Sequence, residues 1–139
     1  MNEELFWKII QQTLQAKTQK EQIDLLSEAL RKIPATDVSK FDTIFNQARK
    51  KFPYKTSLLR QLLNDEGYFI SDDSWIYFTC WLIMHGKPVY EQALHTPEQV
   101  LSLVEKEAIH SENIIGQKYV PAFEEAWYVA IKVLEEIKK

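Results

Sequence analysis

The chain has 139 residues, 45% of them hydrophobic and 27% charged, with a net charge of −3. That length suits one domain able to bury roughly two thirds of its unfolded surface, and that composition argues against disorder. The one cysteine, Cys80, excludes an intramolecular disulfide and a paired-cysteine metal site and fits a reducing compartment.

The first helix is expected from about Glu3 to Ala16, capped by Asn2, with Leu5, Phe6, Ile9, Ile10 and Leu14 inward. A second follows Thr18, which has capping-box spacing to Glu21. Ile23, Leu26, Leu30 and Ile33 face the core, and Pro34 stops it. The third spans roughly 37–51, burying Val38, Phe41, Ile44, Phe45, Ala48 and Phe52. Arg49, Lys50 and Lys51 suit its negative end. Pro53 breaks it, and a short helix carrying Leu58, Leu59, Leu62 and Leu63 follows Thr56.

Ile70 to Gly86 is the most distinctive segment. Ser71, Asp72 and Asp73 suit a helix start, and Trp75 to Met84 is apolar on nearly every face, which predicts a central buried helix. Gly86 and Pro88 end it. A brief helix over 89–94 comes next, and then one started by Thr96-Pro97-Glu98-Gln99 and carrying Val100, Leu101, Leu103, Val104 and Ala108. Residues 110–116 show no clear pattern, and Ile114-Ile115 reads as a packed turn. The last helix starts near Pro121 with a seam of Val120, Phe123, Trp127, Ala130, Leu134 and Ile137. The expectation is an all-α, compact, single-domain bundle of about seven helices, residues 1–139, around a central apolar helix near 72–85.

The segment from Ser71 to Val100 resembles the signature of the bacterial domain of unknown function 4240 family. The matching residues are Ser71-Asp72-Asp73, then Tyr77-Phe78 with Trp81-Leu82-Ile83 and Gly86, then Val89-Tyr90-Glu91 with Ala93-Leu94 and Pro97. Phe6-Trp7 and Phe41-Asp42 also fit. Two positions depart from the pattern: Thr79 stands where members usually carry Arg, and Ser74 where Gly often follows the second Asp. The resemblance implies an all-α bacterial protein inside the cell and implies no activity.

The only glycines are Gly67, Gly86 and Gly116, so the chain has neither a dinucleotide fingerprint nor a phosphate-cradling loop. His85, His95 and His110 lack metalloprotease spacing, and there is no nucleophile elbow. Asp72 and Asp73 could bind a metal or act as acid and base, but consecutive helical residues diverge by about 100°, so capping is the favoured role. Cys80 reads as a small buried hydrophobe. Trp75, Trp81, Tyr77 and Phe78 read as core before pocket. The run from Arg49 to Lys55 mixes cations with rings, but the acidic chain disfavours nucleic acid.

Charge is uneven: residues 1–60 hold 11 Lys and Arg against 7 Asp and Glu, residues 61–139 only 6 against 13. The acidic second half offers a surface, including Glu124 and Glu125, for a basic protein partner. The leading expectation is therefore a non-catalytic protein-interaction module, regulatory or of the immunity and antitoxin kind. It calls for no cofactor and no metal. The alternative is an enzyme or small-ligand protein with a site at Asp72, Asp73, Trp75 and His85. The opening MNEELFWKII is acidic where a secretory signal is positive, and no apolar run is long enough to span a bilayer, so a cytoplasmic location is expected.

Overall fold

Side-chain caps set where four of the helices begin. In the computed structural model, which describes residues 1–138, Asn2 accepts from the Leu5 amide and opens α1 (Glu3–Thr13). Thr18 accepts from the Glu21 amide and opens α2 (Gln19–Arg31). Pro34 occupies the cap of α3 (Ala35–Lys50), and Ser57 opens α4 (Leu58–Asp65) by accepting from the Arg60 amide. α1 is shorter than its apolar pattern suggests. It ends at Thr13, whose buried hydroxyl donates to the Ile10 carbonyl at 2.6 Å, an alternative to continuing the helix.

α5 (Asp72–Ile83) starts with a reciprocal capping box. The Ser74 amide donates to the Ser71 hydroxyl, and the Ser71 amide donates to the Ser74 hydroxyl at 2.8 Å. As its composition predicts, α5 is the buried centre: Trp75, Phe78, Thr79, Cys80, Trp81, Leu82 and Ile83 are all buried. Gly86, at φ 94°, then turns the chain into α6 (Lys87–His95). The positive φ demands glycine, and a Cβ there would lie 3.0 Å from the Leu14 side chain, which would have to give way.

Thr96 makes no side-chain cap bond. The expected start at Pro97 is a 3-10 turn (Pro97–Val100) leading into α7 (Leu101–Glu107). The final helix, α8 (Glu124–Lys138), begins three residues beyond Pro121. It packs against α2, α3 and α5 together. Its buried residues are therefore the small Ala126, Val129, Ala130 and Val133, with Trp127 and Leu134 only partly covered and Ile137 exposed. The expected seam is thus rotated toward smaller side chains, which allow close approach to three neighbours.

The described chain holds eight α-helices rather than about seven, and one feature that the sequence did not announce. Between the helices lies a three-stranded sheet in the order β1-β3-β2. β1 (Tyr68–Phe69) runs parallel to β3 (Lys118–Tyr119), and β2 (Ile109–His110) antiparallel to it. The segment read as patternless is the hairpin joining β2 to β3. The Ser111 amide donates to the Gln117 carbonyl, and the Ser111 hydroxyl accepts from the Asn113 and Ile114 amides. Ile114 and Ile115 do not pack: both are exposed, and Ile115 fully so.

The architecture is an all-α bundle with this small sheet at its side, around a single apolar cluster running from Phe6 to Val133. Buried polar atoms on aromatic rings are satisfied. The Trp75 indole N–H donates to the Phe52 carbonyl at 2.7 Å, and the Tyr90 hydroxyl donates to the Ala48 carbonyl at 2.8 Å. Among the described residues no helix is long and apolar enough to cross a membrane.

Candidate functional site

The register of the sheet sorts its six side chains onto two faces, because cross-strand partners point the same way. The inner row is Tyr68, Lys118 and His110. All three converge on Glu105 of α7. The Tyr68 hydroxyl donates a short hydrogen bond to its carboxylate, Lys118 Nζ lies 3.0 Å away and His110 Nε2 3.9 Å. Lys118 also sits over the Tyr68 ring. The two hydrogen bonds hold the Glu105 carboxyl below its ordinary pKa, and burial first, then Glu105, pushes the Tyr68 phenol up. This row locks the sheet onto the bundle.

The outer row is Phe69, Tyr119 and Ile109. Phe69 is 57% exposed and Ile109 55%, and the Phe69 and Tyr119 rings meet edge to face at 5.9 Å. Ile114 and Ile115, in the hairpin between β2 and β3, are exposed as well. Sequence reasoning missed all five residues. A strand of two residues is too short to show alternation, and the one available signal was an Ile-Ile pair inside a polar loop.

Because β1 and β3 are parallel, the chain leaves both at the same end of the sheet. β1 exits through Ser71 to Asp72 and Asp73, and β3 exits toward Glu124 and Glu125. All four carboxylates are exposed and lie in the first turns of α5 and α8. Two of them act on one group: after desolvation, Glu124, then Tyr128 and then Asp73 push the Tyr77 phenol up to about 12. The Phe123 amide, one residue before α8, donates to the Tyr77 carbonyl and ties the start of α8 to the middle of α5.

The other predicted residues do not join this group. Trp75 points inward to the Phe52 carbonyl and is core. His85 lies just beyond the far end of α5, roughly 20 Å from Asp72 at 1.5 Å per residue. There its Nδ1 donates to the Trp81 carbonyl at 2.9 Å and its Nε2 lies 3.1 Å from the Glu107 carboxylate, beside a notch of about 210 Å³. Cys80 is buried, and burial pushes its thiol up to about 12. Thr79 is also buried, with its hydroxyl donating to the Ile76 carbonyl. In the basic run, Phe52 is core, and Tyr54 donates to the Ile70 carbonyl with Arg60 over its ring, so neither ring is free to stack. Among the described residues no group of three or more His, Cys, Asp or Glu side chains could hold a metal ion.

Fold and site together define an all-α bundle protein whose small sheet turns one apolar row to solvent beside a set of carboxylates. The chain belongs to the DUF4240 family of proteins of unknown function, whose model matches residues 1–136. No curated protein and no solved structure matches the chain.

Proposed function

We propose that this protein is a non-catalytic interaction module that acts in the cytoplasm and binds a basic protein partner, as a regulatory subunit or an inhibitor would. The outer face of its sheet makes the contact. The observation that carries this reading is the row of Phe69, Tyr119 and Ile109, held facing solvent by an inner row anchored on Glu105. Exposed aromatic and aliphatic side chains that form a row mark contact surfaces, whereas scattered ones do not. Asp72, Asp73, Glu124 and Glu125 form a charged rim beside it, which selects a basic partner and speeds encounter.

Photo-crosslinking inside the native cell tests this. A photoreactive residue is placed at position 69 or 115 on the face, or at position 5, an exposed leucine of α1. The expected result is one adduct of the same defined mass from 69 and from 115, containing a basic protein, and none from 5. No adduct from either face position, or the same adducts from position 5, would overturn the reading.

A further inference from the structure

A groove lies between α1, α3 and α6, none of which contributes to the sheet face. Its volume is about 760 Å³, within the range of small-molecule sites. Its floor is aromatic and rigid. The partly exposed Trp7 ring lies 5.0 Å from the Tyr90 ring, and the Tyr90 hydroxyl is held by the Ala48 carbonyl. Its rim is cationic: Lys50 and Lys51 come from the end of α3 and Lys87 from the start of α6. Among the described residues none of these three ammonium groups is paired with a carboxylate. Two carboxylates also line the groove. Glu91 is bridged to His95 at 3.1 Å, and Glu3 sits in the first turn of α1, where the helix dipole favours it. Three lysines against two carboxylates leave the rim a small excess of positive charge above an apolar floor.

A flat ring stacked on Trp7 with an anionic group reaching the three lysines would match both features at once. We propose that the groove binds a small phosphorylated molecule with a flat aromatic body, of which a nucleotide is the representative. Side-chain ammonium groups would hold the phosphates in place of a glycine-rich loop. The stacked ring would exclude water from one face of the indole.

Titration with adenosine 5′-diphosphate, read by tryptophan fluorescence and calorimetry, tests the proposal. The expected result is saturable quenching that disappears in Trp7→Phe, and binding at least about tenfold tighter than that of adenosine or of pyrophosphate alone. Lys50→Glu/Lys51→Glu is expected to weaken binding by about tenfold or more. Lys40→Glu/Lys132→Glu, which changes net charge equally on other surfaces, leaves it unaltered. Matching melting temperatures confirm that both double variants fold. The proposal is overturned by the absence of saturation in the millimolar range or by equal loss in the two double variants. A single-stranded oligonucleotide binding tenfold tighter than the diphosphate would also overturn it, since the site would then serve a polymer.

Discussion

Glu105 shows how much one side chain can organise, since it gathers Tyr68, Lys118 and His110 from three strands. Its folded pKa is depressed, so its contribution to stability is fully present above its ordinary value of 4.5 and is lost as pH falls through the lower folded value. Asp42 acts in the opposite sense. Burial raises its pKa, so its ionisation costs stability as pH rises above 3.8. Urea unfolding between pH 6 and pH 3 is expected to show wild type more stable than Glu105→Gln at pH 6, with the gap closing on acidification. A gap that stays constant would remove Glu105 from the account. At Trp75, replacement by Phe leaves the buried Phe52 carbonyl without its donor and is expected to cost about 1–3 kcal/mol in the same assay. Cys80, with its thiol near 12, carries on the order of a thousandfold less thiolate at pH 8 than an ordinary cysteine. Native protein is therefore expected to resist a disulfide reagent that labels the denatured chain within minutes. Rapid native labelling would show that the core around α5 opens. These roles were unevenly legible in the sequence. The burial of Cys80 followed from its apolar neighbours, but the cluster on Glu105 joins residues 37 positions apart and has no local signal.

At the level of elements, three helix starts were readable directly, whereas the expected cap at Thr96 is not made and the last helix begins three residues beyond Pro121. Asn2, Thr18 and Ser71 cap as their chemistry predicts, because an N-cap bond is made within three residues. α1 and α8 depart from their apolar patterns because their ends and seams are set by neighbours: Thr13 folds back on α1, and α8 presents small residues to three helices. The Ser71–Ser74 box acts locally. Ser74 supplies the hydroxyl that satisfies the Ser71 amide. Ser74→Gly is expected to lower stability by about 0.5–1 kcal/mol and Ser71→Ala by about 0.5–2 kcal/mol, both measured by thermal unfolding. Equal stability of both variants and wild type would mean that burial alone sets the start of α5. The sheet escaped sequence analysis for a different reason. Two-residue strands have no period, and the pairing of residue 69 with residue 119 is purely long-range.

For the whole molecule, the fold puts Asp72 and Asp73 in the first turn of α5, Glu124 and Glu125 in the first turn of α8, and His85 at the other end of the central helix from the aspartates. Composition had shown an acidic second half, and the parallel pairing of β1 with β3 sends the chain out of one end of the sheet toward both pairs of carboxylates. The face is thus a property of topology, and the residues that carry it, Phe69, Ile109, Ile114, Ile115 and Tyr119, contribute little to the core. Phe69→Ser/Ile115→Asp is therefore expected to melt within a few degrees of wild type, since exposed substitutions change stability by only about 0.5 kcal/mol each. That separation of folding from binding makes the central claim testable. The most direct measurement is parallel affinity capture from native lysate with wild type, with Phe69→Ser/Ile115→Asp and with Leu5→Ser/Ile131→Ser as an exposed control. The account predicts one stoichiometric basic partner with wild type and with the control, and none with the face variant. Equal recovery of that partner by all three, or no partner with wild type, would contradict it.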